Sequence, residues 1–404
     1  MNFHHSILTC VRSMQRNFLK TNDSFWPLDI LLLLGGVPTE LVELWQRNCF
    51  RCYQMLIIYQ FALGVLKSLD THPNMLEKVW SIVLAISLVS CYTKEFVYCY
   101  HRKSLQKLRD FINEKSMFSG DTYHDARIRS KLRSIINMLT GAVLTIAILE
   151  QIMLTLIYKK DNRLFEPPSI INAFGRMAPV ARFMNYFLFG IIWFCKFSCC
   201  TFTVISLLIG VRSEYQIISH GYECLLKYVL ALDSSSPMWD KVIHETRTIC
   251  DQHVKLLGYI QLIQPVVGVL FLKLNYFSKL FIGMMMFVVM NEPFSFGTLV
   301  LVSCLLFFLM EGYWWCWFLD TFQDINEEIC SIVYEILHLL HQKSTNQHQK
   351  FAQLRKELLI VSTCTPHGAR FKWGGIFYID RAQFVRFIRA GYSVLTFLLN
   401  FHSW

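Results

Sequence analysis

Charge is scarce in this chain, and the scarcity is local. Of 404 residues only 17% are charged while 54% are hydrophobic; a soluble globular domain carries about 25% charged residues. The deficit lies in long apolar runs, which excludes an ordinary soluble domain and implies a polytopic membrane protein. A cleavable leader is not expected, because Met1–Lys20 mixes Arg12, Arg16 and Lys20 into an apolar stretch without a clean core or cleavage site. Enzyme signatures are missing too: there is no His-Glu-x-x-His, Gly-rich phosphate loop or nucleophile elbow, so no catalytic residue, metal or cofactor is expected. None of the 14 cysteines falls in a segment assigned outside. They read as buried or reduced thiols rather than a disulfide framework. Cys49-x-x-Cys52 lacks the second pair a zinc site needs.

What is present is a series of apolar segments long enough to cross a bilayer, which takes about 20 residues. Seven are expected: Cys49–Leu69, Glu77–Val97, Arg133–Tyr158, Arg182–Val211, Phe271–Met290, Ser295–Phe318 and Arg381–Phe401. The fifth is ambiguous, because apolar character runs from Leu256 past Pro265, Lys273, Asn275 and Lys279. Lys273–Lys279 is too short for a loop between two spans, so one helix with a long extension is expected. The fold class is therefore an all-α, polytopic seven-transmembrane helical bundle.

Lys and Arg near span ends set the orientation. With the N-terminus inside, inner segments hold 25 of these residues and outer segments 6. The net charge of +10 then faces an anionic leaflet rather than nucleic acid. The N-terminus is expected in the cytoplasm, and the C-terminus outside with no cytoplasmic tail. A G-protein-coupled receptor has the opposite orientation. Its Asp-Arg-Tyr and Asn-Pro-x-x-Tyr signatures are also missing. The sequon Asn22-Asp-Ser24 falls on the inner side and is expected to be unused. A transporter remains an alternative, although no internal repeat is visible and only Pro265 and Gly283 hint at the broken helices that class uses.

The C-terminal region adds a resemblance. The run Phe384-Val-Arg-Phe-Ile-Arg-Ala-Gly-Tyr392-Ser393-Val-Leu-Thr396-Phe-Leu398 resembles the closing signature of insect odorant receptors. Asp320–Tyr334 resembles that family's sixth-helix exit, Leu354–Ile360 with Thr365-Pro366 its cytoplasmic anchor helix, and Phe377-Tyr-Ile-Asp380 its lead into the last span. His338 departs from the pattern, standing where many members have Trp. Gly391-Tyr392 and Leu398-Leu399 replace the Thr-Tyr and Gln-Phe of gustatory relatives, which argues against that branch without removing it as an alternative. The short second inner loop, Arg212–Leu256, distinguishes the chain from the family's longer co-receptor.

The resemblance implies a heteromeric odorant-gated non-selective cation channel in which this chain is a ligand-tuning subunit. Its partners would be the co-receptor subunit in a heterotetramer, a small volatile odorant and membrane lipids. It would reside in the plasma membrane as a multi-pass protein, on olfactory sensory neuron dendrites. The expected layout is an N-terminal cytoplasmic segment (1–48), helices one to six as ligand-binding bundle (49–318), an anchor region for subunit contacts (319–380), and the pore-lining helix with the extracellular end (381–404).

In the last span Tyr392, Leu395, Thr396 and Leu399 recur at i, i+3, i+4 and i+7 and share a face. By the resemblance, Leu395 and Leu399 align with a hydrophobic gate, and Leu398 replaces a polar filter residue of the co-receptor. The resemblance also places the odorant in the outer half of the bundle, where apolar residues with few polar handles suit a small volatile. Candidates there are Leu84, Leu88, Ile146, Glu150, Met153, Phe189, Trp193, Met285, Leu299 and Ser303. Ionisable residues inside spans are costly and usually paired. The pairs expected are Glu150 with Lys196 or Lys279, and Glu311 with Lys273.

Overall fold

The computed structural model describes residues 23–38, 44–69, 74–158, 171, 175–231, 236–343 and 348–402. Asn22 of the sequon lies outside them. About 90% of the described residues are helical. Its elements are α1 (Trp26–Leu34), α2 (Leu44–Leu69), α3 (Met75–Tyr100), α4 (Arg102–Glu114), α5 (Thr122–Tyr158), α6 (Ala178–Leu230), α7 (Ser236–Asn291), α8 (Phe296–Lys343), α9 (His348–Gly368), a hairpin of β1 (Lys372–Trp373) with β2 (Phe377–Tyr378), and α10 (Arg381–His402). Seven of these helices, α2, α3, α5, α6, α7, α8 and α10, are long and apolar enough to cross a membrane. The ambiguous fifth span is one helix, and Pro265 sits within it without ending it.

Several helices far exceed a bilayer. α6 has 53 residues and α7 has 56, or about 80 Å each at 1.5 Å per residue, against a hydrocarbon core of about 30 Å. The helices thus run beyond the expected spans: α5 begins at Thr122, ahead of Arg133, and α6 and α8 run on to Leu230 and Lys343. Hydropathy reports where the membrane ends, not where the helix ends. Past that point Glu, Lys and Gln sustain the helix while an inward apolar stripe keeps it packed.

The two halves of the bundle differ in what they show to the outside. In one, Met55, Ile58, Ile82, Val89, Ile148, Leu149 and Ile152 are each at least half exposed, as suits lipid. In the other, a large core joins α1, α4, α6, α7, α8 and α9 through Phe25, Phe111, Tyr215, Trp239, Phe322 and Leu354. A clamp fastens α1 there. Arg109 on α4 donates to both Asp29 oxygens at 2.7 Å and to Asp23 at 3.0 Å, and Asn113 donates to Asp23 at 2.7 Å. Burial works against ionising Asp23, but the hydrogen bonds and charge of Arg109 outweigh it and hold its pKa below the ordinary value. Burial likewise opposes the Arg109 charge, and its bonds to Asp29 and Asp23 win, raising its pKa.

The hairpin is the one departure from an all-helical chain among the described residues. Trp373 pairs with Phe377, and Gly374 and Gly375 in the connecting turn have φ of +59° and +76°, a region costly for residues with a Cβ.

Candidate functional site

Two places carry the candidate residues: the half of the bundle distant from α9, and α10. In the first, one apolar cluster gathers Leu84 of α3, Met153 and Leu154 of α5, Met285 and Val288 of α7, and Val300 and Cys304 of α8. The same cluster takes in Leu395, Leu398 and Leu399 of α10. Residues expected to bind a ligand and residues expected to gate thus share one packed body, bridged by α7.

Gly64 lets three helices approach. A Cβ there would lie 3.2 Å from Leu88 Cδ1 and 3.3 Å from Trp193 Cζ2, so α2, α3 and α6 meet at that level. Leu88 is buried and Trp193 half-buried. Gly190 does the same for α5 and α6, beside Gln151 and Leu154, and Gln151 Nε2 donates to the Tyr186 carbonyl at 3.0 Å. Ile146 and Leu299 are 38% and 39% exposed and face outward, not into this body. The side chain of Phe189 lies outside the described residues.

Glu150 is buried at 5% exposure. Ser303 donates to its Oε1 at 2.8 Å, and Cys304 Sγ lies 4.0 Å away. The expected pairing with Lys196 or Lys279 is not formed. Lys196 pairs with Glu95, and Lys279 lies 5.9 Å from the centre of the Phe387 ring.

The second expected pair is also corrected. Lys94, not Lys273, bonds Glu311 Oε1, at 2.7 Å, with both side chains nearly inaccessible. Thr201 donates to the same oxygen at 3.1 Å. Lys94 also donates to the Phe197 carbonyl at 3.3 Å and lies 3.8 Å from that ring's centre, while Lys273 approaches the ring at 5.8 Å. Sequence reasoning missed Lys94 and Glu95 because they close the expected second span, where a charge reads as snorkelling out. Their adjacency is the signal that could have found them, since successive helix positions face different neighbours.

On α10, Tyr392 is 62% exposed, Leu395 is 4% exposed against the subunit's own core, and Thr396, Leu398 and Leu399 are half-buried. The expected gate face therefore straddles the boundary between the exposed and packed sides of the helix. A shallow groove elsewhere runs along α9, lined by Phe351, Arg355, Lys356, Leu359, Ile360 and Cys364. His338 and His341 have His-x-x-His spacing, but among the described residues no three His, Cys, Asp or Glu side chains form a metal-binding group.

Comparison with known proteins gives a fold. The chain superposes on the insect olfactory receptor OR5 from Machilis hrabei with a TM-score of 0.70 and 13% identity, covering 92% of this chain and 96% of that one. Against the same receptor in complex with eugenol the TM-score is 0.69 at 12% identity, covering 95% and 99%. No protein-family model matches, and no curated protein matches. The chain has the seven-helix fold of an insect olfactory receptor over more than nine-tenths of its length. These two neighbours are receptors, not enzymes.

Proposed function

We propose that the chain is the odorant-binding tuning subunit of a heteromeric, ligand-gated, non-selective cation channel that detects volatile small molecules. The observation that carries this reading is the whole-length superposition on an olfactory receptor, one structure of which holds eugenol. The cytoplasmic N-terminus and extracellular C-terminus follow from the excess of Lys and Arg in the inner segments.

The ligand site is read between α3, α5, α6, α7 and α8: Leu84, Met153 and Met285 share one apolar cluster, Ser303 bonds Glu150, and Leu88 and Trp193 flank Gly64. Polarisable Met and aromatic rings suit shape-tolerant apolar binding. α10 lines the pore. Tyr392 and Thr396 face it, and Leu395 and Leu399 form the constriction, where a ring of Leu stops ions by dewetting. Leu398 gives this subunit an apolar residue at the filter level. Ligand binding acts through Met285 and Val288 of α7, which pack in one cluster with Leu395. Residues 319–380, including the exposed Leu359 and Ile360 of α9, make the contacts with the co-receptor subunits.

Whole-cell current from cells expressing the chain with and without an insect co-receptor tests the reading during exposure to volatile odorants. Odorant-evoked cation current only with the co-receptor, insensitive to G-protein blockade, is the expected result. Stoichiometric uptake of a substrate without such current would instead make the chain a transporter.

A further inference from the structure

The molecule has three buried glutamates among the described residues. Glu214 meets Arg129 at 3.0 Å and Glu311 meets Lys94 at 2.7 Å. Glu150 has no basic partner among the described residues. The buried Asp125 is different in kind: it opens α5 and takes the Ser119 amide at 3.1 Å and hydroxyl at 2.7 Å. A carboxylate removed from water is costly without a cation. The lysines that could reach one inside the bundle are committed elsewhere, Lys94 to Glu311 and Lys196 to Glu95, with Lys273 near Phe197 and Lys279 near Phe387.

Ser303 makes the vacancy usable. Its hydroxyl has one proton and two acceptors in reach, Glu150 Oε1 at 2.8 Å and the Val300 carbonyl at 3.0 Å. Turning the proton to Val300 frees the carboxylate and leaves the hydroxyl satisfied. Glu150 also lies about 12 Å below the outer end of its span, counted at 1.5 Å per residue, beside Met153 and one residue from Gln151.

We propose that Glu150 is the recognition point for an amine: a volatile alkylamine or arylalkylamine whose ammonium docks on this carboxylate while its apolar body packs against Met153 and Met285. The inference rests on the odorant-site reading above and names the ligand class for that site. A charge-assisted bond in a desolvated site is stronger than a neutral hydroxyl's bond at the same position, so the site favours amines over alcohols of the same skeleton.

Two matched pairs test it, hexylamine against 1-hexanol and 2-phenylethylamine against 2-phenylethanol. Each is applied to the purified, detergent-solubilised full chain for thermal unfolding and to co-receptor-expressing cells for current. At least one amine is expected to raise the unfolding temperature and to activate at a concentration about tenfold below its alcohol, roughly the difference one good charge-assisted bond makes. Glu150→Gln should erase that preference, so that each amine and its alcohol act at concentrations within about threefold of one another, a difference smaller than one such bond makes. Amines that are no better than their alcohols, or a preference that survives Glu150→Gln, overturn the proposal. If the Gln variant does not reach the surface, Glu150→Asp withdraws the charge by one methylene. The amine's advantage over its alcohol should then shrink, and equal changes in both overturn the proposal. A Glu150-dependent shift in the unfolding temperature of the purified chain with amines, together with co-receptor-expressing cells in which no volatile evokes current, keeps this site and removes the channel reading. Neither shift nor current removes both.

Discussion

Glu311 shows how a single buried charge is held. Its Oε1 takes Lys94 and Thr201, while Oε2 has no hydrogen-bond partner and Lys273 is close by. Glu311→Gln would strand the buried Lys94 ammonium, a loss of about 3–5 kcal/mol. We expect little of this variant at the cell surface and a large drop in unfolding temperature. Glu311→Gln with Lys94→Met removes both ends of the pair, and surface delivery should recover substantially; equal failure of single and double variants would show that the pair is not the cause. Outside the spans the Arg109 clamp makes a pH-dependent contribution. Asp23 has a lowered folded pKa, so its stabilisation is present above the unfolded value of about 3.9 and is lost as pH falls through the lower folded value. The groups are partly exposed, which limits the effect of Arg109→Ala to about 1–2 kcal/mol at neutral pH. Unfolding temperatures from pH 7 down to about 3 should show the wild type and Asp23→Asn converging at the acid end. A gap of constant size across that range would remove the clamp from the account. Both Glu150 and Ser303 were candidates by residue type and depth, but their bond was not legible. It depends on the rotation of α5 against α8, which periodicity within each helix leaves open.

The pairing of α7 with α10 depends on two glycines. A Cβ on Gly283 would sit 2.5 Å from Val394 Cβ and 2.7 Å from the Gly391 carbonyl oxygen, and one on Gly391 would sit 2.8 Å from Ile282 Cγ2. Backbone cannot yield as a side-chain tip can. Gly283→Ala must therefore push the two helices apart, at about 1–3 kcal/mol by the usual cost of overpacking. Under the channel reading, that displacement lies between the ligand-binding body and the gate, so basal current should change together with stability. Gly258→Ala is the control: nothing lies within 4 Å of its Cβ position, and the better helix former should stabilise by about 0.5–1 kcal/mol. If Gly283→Ala behaves like the control, the close crossing is not needed. The sequence hinted at a helix break at Gly283, yet α7 runs through it unbroken. A glycine inside an apolar run serves a kink or a close contact equally well, and only the partner helix distinguishes them. The seven apolar runs were legible because a bilayer demands about 20 such residues whatever they pack against. The extension of α7 was expected; those of α5, α6 and α8 were not legible, because there the apolar stripe is diluted by the polar outer face of the helix.

At the scale of the whole molecule, exposure does not tell lipid from water, and two positions on one helix can. Ile148 of α5 is 56% exposed and Tyr123, at the start of the same helix, is 77% exposed. By exposure alone a charge at either position should cost almost nothing, since surface substitutions in water stay within about 0.5 kcal/mol. If the apolar half lies in lipid, Ile148→Arg brings a guanidinium into hydrocarbon at about 2.5–3.5 kcal/mol on the insertion scale. Tyr123→Arg remains in water among cationic neighbours Arg127, Arg129 and Lys131. The two substitutions on one helix thus measure the solvent rather than the fold, and insertion of the third span should fall sharply for Ile148→Arg alone. The orientation can be measured with the same chains. Epitopes at the two ends should differ, the C-terminal one stained on intact cells and the N-terminal one only after permeabilisation. The opposite staining would place the basic segment Arg102–Arg133 outside and move the Glu150 site to the cytoplasmic side of the membrane. A volatile ligand arriving from outside would then have to cross the bilayer before it could bind, so the odorant reading stands or falls with that result.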